Sequence, residues 1–270
     1  MNKFGKKKRL IPVLLIKNGW VVQSYNFKEY KNIGSPIASV KRLSEFASDE
    51  IIILDITENN LYDLNRSEVN YKNPQTIEDI IKEVSKICFM PMSIGGKINS
   101  LNKIEEFLRI GADKVILNTM ALKETNFISK ASKQFGSQCI IVSIDFKETN
   151  NEFSIFNRNI NTKINSFDYI QKIIDAGAGE IFINFVDRDG NKSGYEIDFI
   201  SKITEKFKIP IISCGGAGKW DDMYELLNNT NSDAVAAANI FHHYEHSVYI
   251  AKKFLYDKGV FVREPKFIKL

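Results

Sequence analysis

One pattern decides the fold, and it occurs twice along the chain. The stretch Asp49-Glu50-Ile51-Ile52-Ile53-Leu54-Asp55 has a counterpart in the second half, Gly179-Glu180-Ile181-Phe182-Ile183-Asn184-Phe185. In each case a glutamate precedes a short apolar run, and such a run is typical of a strand buried on both faces of a parallel sheet. The chain therefore contains two related halves, each with strands of this kind.

Two further pairs keep nearly the same spacing between the halves. Gly95-Gly96 recurs at Gly215-Gly216, and Asp113 recurs at Asp233. A half-barrel alone would leave open sheet edges, so both halves are expected to form one domain. We predict a single domain over residues 1–270, with residues 1–8 as a basic N-terminal tail.

Eight short apolar runs are separated by segments with helical spacing. The runs are Leu10–Ile16, Ile51–Ile56, Met90–Ile94, Val115–Leu117, Ile140–Ile144, Ile181–Val186, Ile209–Ser213 and Ala234–Ala238. These helical segments include Ile77–Ile87, Leu101–Ile110, Phe127–Phe135, Phe167–Ala176, Phe199–Phe207 and Met223–Asn228. Eight alternating units indicate an α/β fold, a (β/α)8 TIM barrel built from two fused half-barrels. An open doubly wound sheet is the alternative.

Composition excludes several classes of protein. Of the 270 residues, 44% are hydrophobic and 26% charged, which is ordinary for a globular domain. A net charge of +4 does not indicate a nucleic-acid partner, and no apolar run reaches the ~18 residues of a membrane span. Three cysteines in no metal-binding pattern favour the cytoplasm. We expect neither a cofactor nor a metal, although His242 and His246 have the spacing of two ligands on one helix.

The loops after the strands contain groups that suit phosphate. Glycine lets the backbone approach an anion, and a helix N-terminus offers it free N–H groups. The candidate phosphate-binding residues are Gly95, Gly96, Asn118, Thr119, Asp189, Gly190, Gly215 and Gly216. Two such loops in opposite halves predict a small-molecule ligand phosphorylated at both ends. The alternative is that the glycines only form tight turns.

Asp145 is the candidate catalytic residue. It ends the apolar run Ile140–Ile144, so it is expected at the barrel mouth as a general acid or base. A helix cap or a loop contact is the alternative reading. The equivalent position in the first half holds Leu15, which cannot transfer a proton.

A second constellation lies at the amino ends of four predicted strands. Arg9, Glu50, Lys114 and Glu180 carry two positive and two negative charges. Buried charges persist only when they are paired, so these four side chains are expected to close a ring across the barrel bottom. Such a ring is either a structural plug, which the residues alone favour, or a gate.

Seven stretches together resemble the cyclase subunit of imidazole glycerol phosphate synthase. They are Arg9–Gly19, Asp49–Thr57, Gly111–Ala121, Phe135–Lys147, Ala176–Gly194, Ile209–Lys219 and Ala234–His242. The resemblance implies a (β/α)8 barrel that docks on a class I glutaminase and conducts ammonia through its core. In that family the ammonia reacts at the top with a bis-phosphorylated ribulosyl nucleotide. The products are imidazole glycerol phosphate and an aminoimidazole carboxamide ribotide.

The family's functional positions are only partly retained. Its acid–base aspartate on strand five matches Asp145, but its partner aspartate on strand one matches Leu15. The third glycine of its phosphate loop is Lys97, a loop lysine is Gln23, and a phosphate-binding serine is Asn239. The resemblance also implies that Arg9, Glu50, Lys114 and Glu180 form the ammonia gate and that Asp113 lies at the glutaminase interface.

These departures affect the chemical face, whereas the glutaminase face is retained. The pattern resembles a divergent branch of the family in surface-polysaccharide biosynthesis, where ammonia goes to a separate N-acetyl sugar amidotransferase. We therefore predict an ammonia-conducting subunit of a glutamine amidotransferase complex with weak or lost cyclase (lyase) activity. Whether the chain is itself an enzyme stays open. The alternatives are an authentic cyclase of histidine biosynthesis and a stand-alone phosphosugar-binding barrel.

Overall fold

Eleven strands occur in the described part of the chain. The computed structural model describes residues 6–45, 47–58, 62, 74–150, 152–158, 160, 164–242 and 246–266. The strands are β1 (Arg9–Lys17), β2 (Trp20–Tyr25), β3 (Glu29–Gly34), β4 (Ile51–Asp55), β5 (Met92–Gly95), β6 (Lys114–Leu117), β7 (Ile140–Thr149), β8 (Glu152–Phe156), β9 (Glu180–Phe185), β10 (Ile211–Cys214) and β11 (Ala234–Ala237).

Eight of these strands form a closed parallel barrel. Their order is β1, β4, β5, β6, β7, β9, β10 and β11. β11 pairs back onto β1 in parallel, with Arg9 opposite Ala234 and Pro12 opposite Ala237. Each barrel strand thus has a hydrogen-bonded neighbour on both sides, which leaves no open edge. The predicted (β/α)8 TIM barrel is confirmed, and the open doubly wound sheet is excluded.

Helices cover the outside of the barrel. In the described ranges they are α1 (Pro36–Glu45), α2 (Ile77–Ser85), α3 (Leu101–Arg109), α4 (Thr119–Lys123), α5 (Asn126–Phe135), α6 (Ser166–Asp175), α7 (Ile197–Lys206), α8 (Trp220–Asn229) and α9 (Ser247–Asp257). None of them has both the length and the apolar character needed to cross a bilayer.

The helical segments named from the sequence do not include α1, α4 and α9, and the segment that corresponds to α8 begins three residues late. The signal for α9 was present, since Val248, Ala251 and Leu255 recur at helical spacing and are fully buried. α8 begins at Trp220 rather than Met223. The Asp222 carboxylate accepts the backbone N–H groups of the two residues before this helix, at 2.8 and 3.0 Å, and so caps its N-terminus.

Two apolar cores share the barrel strands. The outer core packs the strands against the helices. The inner core fills the barrel itself with Ile11, Val13, Ile52, Ile116, Ile141, Phe182, Ile212, Cys214, Ala234 and Ala236. Side chains alternate between the two cores because successive residues of a strand point to opposite faces.

The internal repeat is visible in backbone contacts at the amino ends of the strands. Asp113 accepts the N–H of Met92 at 2.8 Å, and Asp233 accepts the N–H of Ile211 at 3.0 Å. Both aspartates also donate their own N–H back to the same residue. The two half-barrels therefore have the same pair of aspartate–backbone hydrogen bonds at equivalent positions.

Two hairpins extend the barrel on the face where the parallel strands end. β1 continues through Asn18 and Gly19, both with positive φ, into antiparallel β2 and then β3. This Asn-Gly pair is typical of a two-residue hairpin turn. β7 runs on past the barrel to Thr149 and pairs with β8, which places Phe156 opposite Asp145. Neither hairpin was predicted from the sequence.

The N-terminal segment is tied to the C-terminal one. The backbone N–H of Lys8 donates to the carbonyl of Phe261 at 2.8 Å, and its ammonium donates to the carbonyl of Ser232 at 2.6 Å. Ordered contacts therefore begin before β1. The domain limits of 1–270, with a tail over 1–8, stay a prediction.

Candidate active site and polar ring

A cavity of about 850 Å³ lies at the carboxyl ends of the barrel strands. Its apolar lining includes Val13, Leu15 and Leu54, and its polar lining includes Asn118 and Asp145. The β2–β3 hairpin contributes to the wall. TIM-barrel enzymes carry out their chemistry on this face, and ligand sites have volumes of roughly 300–1,000 Å³. The cavity is therefore the candidate active site.

Asp145 is held in this cavity by two amide side chains. Its Oδ2 accepts the Nδ2 group of Asn118 at 2.9 Å, and the Asn184 amide is a second donor. Burial raises the pKa of Asp145 to about 6, and the two amides and the charge of Arg158 oppose that rise. A carboxyl with this pKa can both accept and release a proton near neutral pH.

Leu15 places hydrocarbon on the opposite part of the lining. It lies on β1 beside Leu54 of β4 and opposite Val22 of β2, and it packs on the inner core. The environment is apolar on each of these sides. Leu15, the residue equivalent to Asp145 in the repeat, therefore provides no proton-transfer group.

Two further aspartates line the cavity, and both have other partners. Asp55 accepts the backbone N–H of Thr57 at 3.0 Å and lies 3.6 Å from the ammonium of Lys97. Asp189 accepts the hydroxyl of Ser24 at 2.6 Å and the backbone N–H of Phe27 at 3.2 Å. Both carboxylates join loops to one another.

The glycine loops lie on opposite halves of the cavity wall. Gly96 has φ +113°, and a Cβ there would be 2.3 Å from the carbonyl oxygen of Asp55. Gly216 has φ +97°, and its Cβ would be 2.0 Å from the carbonyl oxygen of Gly194. Both positions need glycine for packing, whatever ligand they meet. Lys97, which follows Gly96, keeps the left-handed backbone with φ +54°.

The remaining predicted phosphate residues have varied surroundings. Gly215 lines the cavity, whereas Gly95 is the buried last residue of β5. Thr119 begins α4 on the cavity wall, and Asn118 precedes it. Gly190 faces the hairpin, where an added Cβ would be 2.6 Å from the Tyr25 ring. Its role is therefore to let the hairpin approach the loop after β9.

The β2–β3 hairpin is held beside the cavity by hydrogen bonds from several segments. The Asn239 amide donates to the backbone carbonyl of Ser24 at 2.8 Å, and Asp189 holds the Ser24 hydroxyl. Arg158 reaches the hairpin from the other side and donates to the Tyr30 hydroxyl at 2.7 Å. Gln23 is buried on β2. The hairpin therefore forms a roof over part of the cavity.

The structure brings Arg9, Glu50, Lys114 and Glu180 together in a closed ring at the opposite end of the barrel. An Arg9 nitrogen lies 2.6 Å from Glu50, and the Lys114 ammonium lies 3.3 Å from Glu50 and 3.0 Å from Glu180. Arg9 also pairs with Glu180. Burial would raise the pKa of Glu180, but Arg9 and Lys114 outweigh it, and the pKa lies below its ordinary value. We name these four residues the polar ring.

The polar ring forms the layer beneath the inner core. Two residues further along each strand are Ile11, Ile52, Ile116 and Phe182, all members of the inner core. Strand alternation places each ring side chain on the same inward face as these four. Hydrocarbon therefore separates the ring from the cavity at the other end.

Asp113 lies next to Lys114 at the same end of the barrel. One of its carboxylate oxygens accepts the Met92 backbone N–H, as described above. This contact positions β5 and is shared with Asp233 in the other half. It explains why an aspartate suits this position, independently of any partner.

The histidines and cysteines do not form a metal site in the described residues. His242 ends a short 3-10 helix, and His246 precedes α9, so the two do not lie on one helix face as the spacing suggested. Cys88, Cys139 and Cys214 are all free thiols. No group of three or more metal-binding side chains occurs in the described ranges.

Several polar residues that line the cavity were not predicted from the sequence, among them Asn184, Asn157 and Arg158. Asn184 could have been found by alternation, since it stands two residues beyond the inward-facing Phe182. Asn157 and Arg158 follow β8 and left no local signal, because only the β7–β8 pairing brings them to the cavity.

Comparison with known proteins agrees with this architecture. A family described as "Histidine biosynthesis protein" matches residues 9–247. The chain belongs to this family. Imidazole glycerol phosphate synthase subunit HisF from Chloroherpeton thalassium is 36% identical over 258 residues, which cover 95% of this chain and 98% of the relative. The same subunit from Sulfurisphaera tokodaii is also 36% identical over 258 residues, with the same coverage of both chains.

The match to the histidine biosynthesis protein family spans both ends of the barrel. It begins at Arg9 of the polar ring and ends at Ser247, the first residue of α9. The HisF-like character thus extends over the cavity, the inner core and the ring together.

Proposed function

We propose that this HisF-like barrel is the ammonia-receiving subunit of a glutamine amidotransferase complex, with cyclase activity weakened or lost. Its partner is a class I glutaminase. The ammonia serves a separate N-acetyl sugar amidotransferase that amidates a surface-polysaccharide sugar. One observation carries the proposal: the polar ring is complete, but the position in the first half-barrel that is equivalent to Asp145 holds Leu15, whose apolar side chain cannot transfer a proton.

The geometry of the ring supports a gate at the barrel bottom. Positive and negative side chains alternate around it, and each has two partners of opposite charge, so a small polar molecule can replace one ion pair without leaving a charge unpaired. Arg9 and Lys114 are about one-fifth exposed, at 22% and 21%. Ammonia arriving from below therefore meets donors and acceptors that can bind it.

The inner core favours neutral ammonia over ammonium. Above the ring, Ile11, Ile52, Ile116 and Phe182 surround the axis with apolar side chains. Burying an unpaired charge among them would be far more costly than burying a neutral molecule. The barrel would thus deliver NH₃ to the cavity in its nucleophilic form.

The cavity retains one side of an acid–base pair. Asp145, with a pKa of about 6, can transfer a proton, but Leu15 offers no second group. Loss of one general acid or base costs about 10²–10⁴-fold in rate. Passage of ammonia needs neither carboxylate, so a conducting subunit tolerates the change.

The partner assignment can be tested with a matched pair of variants. Asp113 and Asp233 make the same backbone contacts in the two half-barrels, but only Asp113 is assigned to the glutaminase interface. We expect the purified barrel to bind a class I glutaminase and stimulate its hydrolysis of glutamine. Asp113→Asn should reduce this stimulation by about tenfold, as expected for a lost charged contact, and Asp233→Asn should not.

The opposite outcomes would reject the proposal. If glutamine hydrolysis does not respond to the barrel, or both variants behave alike, the interface assignment is wrong. An assay with the bis-phosphorylated ribulosyl nucleotide tests the second half of the proposal. Turnover equal to that of a histidine-pathway enzyme would exclude a weakened cyclase.

The second candidate is an authentic cyclase of histidine biosynthesis. It is favoured by 36% identity to HisF subunits over nearly the whole chain and by the retained Asp145. Complementation of a histidine auxotroph separates the two: normal growth supports the cyclase, and no growth supports the conducting subunit.

A stand-alone phosphosugar-binding barrel is the third candidate. The two glycine loops on opposite halves of the cavity are its supporting observation. It predicts no association with a glutaminase, so co-purification of the two proteins would exclude it. The cytoplasm is the expected location under all three candidates.

A further inference from the structure

A row of hydrogen-bonded side chains leads from the β7–β8 hairpin to Asp145. The Nδ2 group of Asn157 donates to the Oδ1 atom of Asn118 at 3.1 Å and to the Thr119 hydroxyl at 3.1 Å. The Nδ2 group of Asn118 then donates to Oδ2 of Asp145 at 2.9 Å. Asn157 is thus one side chain removed from the carboxyl.

The direction of this row follows from the chemistry of its last member. An ionised carboxylate only accepts hydrogen bonds, so Asn118 must turn its N–H group towards Asp145. Its Oδ1 atom then faces Asn157, which has to donate. In the opposite orientation, the Oδ1 atom of Asn118 would face the acceptor oxygen of Asp145, and its Nδ2 group would face the donor Nδ2 group of Asn157. Neither contact would be a hydrogen bond.

The tertiary structure places Asn157 where it can do this. Phe156 lies opposite Asp145 in the antiparallel β7–β8 pairing, and Asn157 is the next residue. Asn118 and Thr119 follow β6, the barrel neighbour of β7. The segment after β6, the middle of β7 and the segment after β8 therefore meet at the Asn118 amide.

We propose that Asn157 is a positioning residue for Asp145, which it serves by fixing the Asn118 amide with its N–H towards the carboxyl. The proposal rests on the assignment of Asp145 as the proton-transfer group. Asn157 donates to Asn118 and Thr119, so its effect on the carboxyl passes through the Asn118 amide.

Other groups around Asp145 act independently of this row. Asn184 on β9 is a second donor, Arg158 contributes a positive charge and Asp189 a negative one. Arg158 hydrogen-bonds to the Tyr30 hydroxyl rather than to Asn157. The pKa of Asp145 is about 6 with all of them present, and burial is the largest cause of its rise. Loss of the ordered Asn118 donor should raise it further.

The test is the pKa of Asp145, measured by carboxyl ¹³C NMR in the full chain, with Asp145→Asn to assign the signal. Asn157→Leu keeps the side-chain size and removes the donor. We expect the pKa to rise by about one unit, since a hydrogen bond to a charged group is worth at least that. Asn157→Asp should raise it more, because a carboxylate at this position draws the Asn118 N–H away and adds negative charge. Asn228→Leu on the surface should leave it unchanged.

A double variant separates positioning from a general structural effect. In an Asn118→Ala background, Asn157→Leu should cause no further change in the pKa of Asp145. An equal shift in both backgrounds, or no shift in either, overturns the proposal. The measurement needs neither glutaminase nor cyclase turnover, so its result is independent of the complex proposed above. A barrel that fails to stimulate glutaminase would refute that complex and leave this assignment standing.

Discussion

Glu180 of the polar ring should make a large contribution to stability. Glu180→Gln preserves the shape of the side chain and removes its charge, so Arg9 and Lys114 keep only Glu50 as a carboxylate partner. Breaking a buried pair costs about 3–5 kcal/mol. Here both cations retain one partner and are about one-fifth exposed. We therefore expect the free energy of unfolding to fall by about 2 kcal/mol at neutral pH.

The effect should depend on pH in a defined direction. The pKa of Glu180 in the folded chain lies below the ordinary glutamate value of 4.5. Its charge therefore stabilises the folded state fully above that value, and this contribution is lost as the pH falls through the folded pKa. The difference between the wild type and the variant should be constant near neutral pH and shrink in acid.

Urea unfolding near neutral pH and at a pH below the folded pKa measures both parts of the prediction. Glu124→Gln provides the control, since the Glu124–Lys130 pair has a 3.1 Å separation with both side chains about half exposed. A pair of this kind is worth roughly 0.2–1 kcal/mol at most. If Glu180→Gln costs no more than the control, or costs the same at both pH values, the ring is not the paired, buried cluster described above.

Three further predictions concern the cavity. Gly216→Ala should lower the free energy of unfolding by about 2–3 kcal/mol, because its Cβ would meet the Gly194 carbonyl at 2.0 Å. Gly34→Ala, with positive φ but open space, should cost about 1 kcal/mol, and equal costs would contradict the packing argument. Any reaction that uses Asp145 as a base should lose rate below pH about 6, and a pH–rate profile without that limb would count against it. Leu15→Asp should raise cyclase turnover about tenfold or more, and unchanged turnover would mean that other loop changes block the reaction.

The barrel could be predicted because its signals are local and repeated. Apolar runs such as Ile51–Asp55 and Glu180–Phe185 identify strands buried on both faces, and their recurrence predicts the two halves. The ring residues were also predictable. Strand alternation fixes which side chains point inward, and charges can persist there only as pairs.

The surroundings of Asp145 were predictable only in part. Its position directly after the apolar run Ile140–Ile144 follows from the sequence, but its hydrogen-bond donors come from other segments. Asn157 is brought to the Asn118 amide by the register of the β7–β8 hairpin, in which Phe156 pairs with Asp145. A shift of one residue in the β7–β8 pairing would turn the side chains of β8 to the other face, and no nearby residue indicates which register forms.

The order of the chain thus determined the closed barrel, the apolar Leu15 at the position equivalent to Asp145 in the repeat, and the four charges at the amino ends of the strands. Each of these depends on residue type and strand periodicity. Folding in three dimensions decided how those groups are used. It set the ion-pair geometry of the ring, the roof formed by the β2–β3 hairpin and the amide row that ends at Asp145. These depend on contacts between residues distant in sequence, whose distances and orientations only the packed molecule defines.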